Sequence, residues 1–64
     1  MIKLNGETRA VNAATITELI SELRLIPETL LVEHNGVALH RAEWNFAAVH
    51  DGDVIEFVRV VAGG

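Results

Sequence analysis

Thr15-Ile16-Thr17-Glu18-Leu19-Ile20-Ser21-Glu22-Leu23 is the stretch whose reading decides the fold. Thr15 and Glu18 have the spacing of a capping box, in which each side chain satisfies an amide left without a partner at a helix start. Ile16, Leu19, Ile20 and Leu23 fall at i, i+3, i+4 and i+7, one apolar stripe at helical period. Thr17, Glu18, Ser21 and Glu22 take the wet side. Pro27 forbids continuation, because it lacks an amide hydrogen and its ring crowds the preceding turn, so the helix is expected to stop near Arg24. An apolar stripe of this width has to be buried against another element.

The flanking segments supply one. Upstream, Ile2 and Leu4 alternate with Lys3 in Met1-Ile2-Lys3-Leu4, and Asn5-Gly6 follows, a pair suited to the positive φ angles of a two-residue hairpin turn. The return strand is expected over Glu7 to Val11. Downstream, Leu30-Leu31-Val32-Glu33-His34 reads as a third strand, Asn35-Gly36 as a second hairpin turn, and Val37 to Leu39 as a short fourth strand. A single helical turn is expected around Ala42 to Trp44, and Asp51-Gly52-Asp53 reads as a tight turn. The last strand runs from about Val54 to Val61. The order strand, strand, helix, strand, strand, strand leaves one face of the sheet as the only surface for the helix. The expected fold is therefore α+β: a β-grasp, with one helix across a mixed sheet of four or five strands and the first and last strands parallel neighbours.

Within the last strand, Ile55 and Phe57 belong under the helix, and Glu56, Val58 and Val60 point away from it. A sheet covered on one face normally carries polar residues on the other, and Val58 and Val60 depart from that pattern. Two readings stand: β-branched residues simply suit strands, or the valines form an apolar docking patch beside the exit of the tail. The chain then closes with Ala62-Gly63-Gly64. Residues without a Cβ can lie extended in a narrow tunnel where any side chain would clash. The organisation expected is a domain over residues 1–61 and a flexible tail over 62–64.

In this order and length, the helix start Thr15-Ile16-Thr17-Glu18-Leu19, Val32-Glu33-His34-Asn35-Gly36, Arg41 with Trp44, Asp51-Gly52-Asp53-Val54-Ile55-Glu56 and the closing Val61-Ala62-Gly63-Gly64 resemble the sulfur carriers of thiamine biosynthesis, the ThiS family of ubiquitin-like β-grasp proteins. The resemblance covers nearly the whole chain. It implies that an E1-like adenylating enzyme uses ATP to activate the carboxylate of Gly64, and that a persulfide sulfur donor converts it to a thiocarboxylate. Thiazole synthase is the implied acceptor. Gly63 gives the clearance to thread the tail into both partners, and Val58, Val60, Val61 and Ala62 are the implied partner contacts. The carrier itself binds no cofactor and is a protein co-substrate, not an enzyme. The small subunit of molybdopterin synthase also ends in Gly-Gly and is the nearest alternative, but that family often carries paired prolines where this chain has Phe57-Val58-Arg59-Val60-Val61.

Composition bounds the remaining choices. With 64 residues there is room for one domain, and half of them are hydrophobic, so a small core is well supplied. There is no cysteine, so neither a disulfide nor a side-chain thiol is available. The net charge of −4 and five basic residues give no cationic stripe for nucleic acid. No apolar run approaches the roughly 20 residues that span a bilayer, and no signal peptide is legible, so the cytoplasm is the expected location. His34, His40 and His50 lack the close spacing of a metal site. Asp51 and Asp53 lack a calcium loop's ligand pattern and read as a turn. Ser21, the only serine, has no triad about it, and Trp44 reads as a packing anchor. Besides a sulfur carrier, two other functions fit: a β-grasp binding module with an inert tail, and a modifier joined through Gly64 to lysines.

Overall fold

Thr15 begins the helix as expected. Its backbone is extended and its hydroxyl accepts the Glu18 amide at 3.2 Å. The reciprocal bond is displaced by one residue: the Glu18 carboxylate accepts from the amide of Ala14 at 3.1 Å rather than from that of Thr15. The next two free amides are satisfied from a distant loop, with Ile16 N–H donating to Ala47 O and Thr17 N–H to Trp44 O. Four amides at the helix start, those of Ala14, Ile16, Thr17 and Glu18, thus have acceptors within the protein.

The computed structural model describes residues 1–60. Its elements are β1 (Ile2–Leu4), β2 (Glu7–Arg9), α1 (Ile16–Glu22), a 3-10 turn (Pro27–Thr29), β3 (Leu30–His34), β4 (Val37–Leu39), a second 3-10 turn (Arg41–Glu43) and β5 (Val54–Arg59). The five strands form one sheet in the order β2-β1-β5-β3-β4. β1 and β5 are parallel, with Leu4 opposite Ile55, and every other pairing is antiparallel. This is the β-grasp arrangement.

Helix α1 ends near Arg24 as expected, but a left-handed turn there acts before Pro27 is reached. Leu23 caps the helix and Arg24 turns into the left-handed region at φ +58°. Leu25 N–H then donates to Ile20 O and Arg24 N–H to Ser21 O. These two bonds make a Schellman motif, which satisfies carbonyls the helix leaves open and normally uses glycine where this chain has Arg24.

Two strands are shorter than their expected spans. β2 stops at Arg9 instead of Val11 because its partner β1 begins at Ile2, opposite Arg9, and the carbonyl of Met1 accepts from Gly52 instead. Val11 packs against the core from outside the sheet. β5 stops at Arg59 instead of Val61 because β3 begins at Leu30, directly opposite. Val60 N–H still donates to Thr29 O at 2.6 Å, one step past the ladder.

The core lies where the helix stripe meets the inner face of the sheet. Ile16, Leu19 and Ile20 meet Ile2 and Leu4 of β1, Val32 of β3 and Ile55 of β5, all buried. At about 1.5–3 kcal/mol for each fully buried aliphatic side chain, this cluster is the main source of stability. Trp44 is buried at one end and closes the core, as its reading as an anchor anticipates. The Arg41 guanidinium lies 5.7 Å from the Trp44 ring centroid and pairs with Glu28 at 2.8 Å.

Candidate partner-docking face and tail exit

Both hairpin turns fix β5 as well as their own strands. Asn5 and Asn35 adopt positive φ and each precedes a glycine that does the same, the backbone of a type I′ turn. The Asn35 side-chain oxygen accepts the Val54 amide at 2.8 Å, and the Asn5 side-chain oxygen accepts the Phe57 amide at 2.8 Å. The strand that leads to the tail is therefore gripped near both ends by side chains from turns that flank it.

A second clamp holds the start of β5. Asp53 is buried, and its carboxylate meets His34 Nε2 at 2.7 Å while accepting from the Asn35 side-chain amide at 3.1 Å and the His50 backbone amide at 2.8 Å. Burial alone pushes its carboxyl upward, but the bonds from His34, His50 and Asn35 outweigh that and hold it at about 2, below its usual 3.8. His34, a partly buried residue at the end of β3, thus serves the fold.

On the outer face the register sets four side chains in two rows. Leu31 stands directly opposite Val58, and Glu33 directly opposite Glu56. Val58 is 50% exposed and Val60 46%, so both point to solvent as the alternation predicts. Leu31 is 60% exposed and joins Val58 in the same apolar patch. Sequence reasoning passed over Leu31, although Leu30-Leu31-Val32 contains the signal. A strand covered on one face cannot bury three consecutive apolar side chains, so the middle one has to face out. Val61, Ala62, Gly63 and Gly64, the rest of the expected contact and modification set, lie outside the described residues.

Among the described residues, this face carries no cluster of side chains that could hold a metal ion. What it offers is a short apolar pair, flanked by two carboxylates, at the end of the sheet from which the chain continues toward Gly64. A larger open groove of about 420 Å³ lies elsewhere, between α1 and the second 3-10 turn, lined by Thr17, Ser21, Arg41 and Trp44 among others.

The model of the ThiS family matches residues 2–64, which includes all five strands, the helix and the closing Gly63-Gly64. The chain belongs to the ThiS family. ThiS proteins are small sulfur carriers, and the part this chain plays is a carrier's rather than an enzyme's. It is similar to the crystal structure of the thiamine biosynthesis protein ThiS from Geobacter metallireducens. Identity is 36%, the TM-score is 0.84, and the match covers 98% of this chain and 97% of that one. A solution structure of a thiamine biosynthesis protein from the same organism matches at 36% identity and a TM-score of 0.79, over 98% of this chain and 86% of that one. No curated protein matches the sequence. No helix among the described residues is long and apolar enough to cross a membrane.

Proposed function

We propose that this ThiS protein carries sulfur for thiamine biosynthesis as a thiocarboxylate on Gly64. The observation that supports this most is the extent of the family match, which runs through the whole β-grasp and on to the last glycine. The similarity to thiamine biosynthesis proteins supports the thiamine branch over the molybdopterin one.

The chemistry follows from what a carboxylate lacks. A free carboxylate is a poor electrophile because its leaving group is oxide. An E1-like adenylating enzyme supplies a better one: a Gly64 oxygen attacks the α-phosphorus of ATP, pyrophosphate departs, and an acyl-adenylate forms. A persulfide of a partner attacks the acyl carbon and expels AMP, leaving an acyl disulfide. A second thiol reduces that bond, which frees the thiocarboxylate and forms a new disulfide. The thiocarboxylate then delivers its sulfur to thiazole synthase, and the carboxylate returns.

The fold's task is to present the tail. The clamps on β5 fix where the strand ends, the absence of a Cβ at Gly63 and Gly64 gives clearance, and Val58, Val60 and Leu31 offer apolar area to the partner. Val61 and Ala62 continue that contact toward the tail. The carrier holds no cofactor; ATP belongs to the adenylating enzyme, and the cytoplasm is the compartment proposed.

The experiment is thiamine-free growth of a strain whose own carrier gene is deleted. The full chain should restore growth and a variant ending at Ala62 should not. Growth restored equally by the shortened chain would refute the proposal.

A further inference from the structure

Five basic residues serve the whole chain, against nine acidic ones. Two of them, Arg9 and Arg59, line one open groove of about 300 Å³ whose apolar wall includes Leu23, Leu25 and Phe57. Both arginines are exposed, and neither makes an ion pair among the described residues. Lys3 and Arg24 also lack an ion pair among the described residues, so what sets Arg9 and Arg59 apart in a chain of net charge −4 is that they share one apolar groove. Arg41, by contrast, meets the Glu28 carboxylate at 2.8 Å.

The groove's position ties it to the tail. Arg59 closes β5 and is followed by Val60, the last described residue. Asn5, at the same end of the parallel neighbour β1, also lines the groove, as does Leu30 at the start of β3. The groove therefore opens at the end of the sheet where the chain departs toward Gly64. Val58 faces outward and Arg59 inward, so consecutive residues of one strand show apolar surface on one side and positive charge on the other.

We infer that the Arg9–Arg59 groove is a second docking site, which takes a carboxylate side chain, seated beside an apolar one, from the protein that grips the tail. This rests on the carrier reading, because the partner tested is the adenylating enzyme. Guanidinium groups suit this occupant: each presents a planar fork of donors to a carboxylate. The leucine wall excludes water from the pair's apolar neighbour, which strengthens the contact. A partner with such a segment is engaged on both sides of the departing strand, and the tail's direction is thereby fixed in two planes instead of one.

The test is the affinity of the full chain for the cognate adenylating enzyme, measured by titration calorimetry at low and high salt. Arg9→Gln and Arg59→Gln should each weaken binding about five-fold at low salt, and the double variant further, with a flatter salt dependence. Lys3→Gln removes the same charge from the outer face and should change affinity less than about two-fold. Thermal melting should be unaltered in all of them, since these side chains are exposed. Unchanged affinity in the double variant, or an equal loss for Lys3→Gln, overturns the proposal. So does displacement by inorganic phosphate at the groove while enzyme affinity is indifferent to both arginines, which assigns the groove to a free anion. If the wild-type chain is adenylated and the double variant binds normally, only the groove is refuted. A wild-type chain that neither binds nor is adenylated removes the carrier reading as well.

Discussion

His34 Nε2 lies 2.7 Å from Asp53 Oδ2, joining the last residue of β3 to the residue that precedes β5. The two are far apart in sequence, and their contact locks the entry to the strand that bears the tail. Asp53 has a folded pKa of about 2 against 3.8 for the free side chain. A depressed carboxyl stabilises the fold above its unfolded value and loses that contribution as pH falls through the folded one. Stability is therefore expected to drop between about pH 4 and about pH 2, by on the order of 2 kcal/mol from this group. Asp53→Asn should be less stable near neutrality and should lose that share of the acid dependence. Urea denaturation across a pH series checks both, and an unaltered acid limb in the variant would contradict the clamp.

Arg24 occupies the left-handed position that ends α1, at φ +58°. A side chain there is strained, and glycine is not. Arg24→Gly should stabilise the domain by about 0.5–1 kcal/mol, after losing a small favourable charge effect at the helix end. For a domain of this size that is a rise in Tm of about 5 °C. Scanning calorimetry measures it, and a fall in Tm would show that the guanidinium contributes more than the strain costs.

Leu19 is fully buried at the centre of the helix stripe. Leu19→Ala should cost about 2–5 kcal/mol. A domain of 64 residues has only several kcal/mol in all, so the variant should be largely unfolded at physiological temperature by circular dichroism. A cooperative transition close to that of the wild type would mean that the core is distributed otherwise than the burial indicates.

How far these features were legible in the sequence depends on how local their causes are. The stripe Ile16, Leu19, Ile20, the Asn-Gly turns and the Leu30–His34 strand are set by neighbours a few residues away, and each was readable. The parallel pairing of the first and last strands followed from the order of elements, while the register that sets Leu4 opposite Ile55 did not. Other features depend on residues that only the fold brings together. Nothing near Asn5 or Asn35 signals that their side chains accept amides of β5, and nothing near Asp53 signals His34. The reading of Pro27 as the helix stop gave nearly the right end for an incomplete reason, since the left-handed turn at Arg24 acts first. The outward face of Val58 was readable by alternation and that of Leu31 could have been, while their pairing across the sheet became evident only through the register between β3 and β5.

That register makes Leu31 and Val58 a single exposed apolar pair. Val58→Asp should weaken binding to the adenylating enzyme at least ten-fold and leave circular dichroism unchanged, because an exposed position tolerates the charge while an apolar interface does not. Leu31→Asp should act in the same direction. Equal affinity for the wild type and both variants would remove the patch from the interface.

The tail makes a steric prediction. Gly63→Val should prevent adenylation by adding a branched side chain where the backbone has to thread, and should leave the melting temperature of the domain unaltered. Pyrophosphate release in the presence of ATP and the adenylating enzyme provides the readout, and release at the wild-type rate would show that no narrow passage is involved.

The most direct measurement is intact and fragment mass spectrometry of the chain after incubation with ATP, the adenylating enzyme and a persulfide source. The expected product has one oxygen replaced by sulfur, with the change confined to the fragment that holds Gly64. An unchanged mass under conditions that adenylate the chain, sulfur found on any other residue, or a ladder of higher-mass conjugates to lysine would contradict the assignment of Gly64 as the sulfur-bearing end.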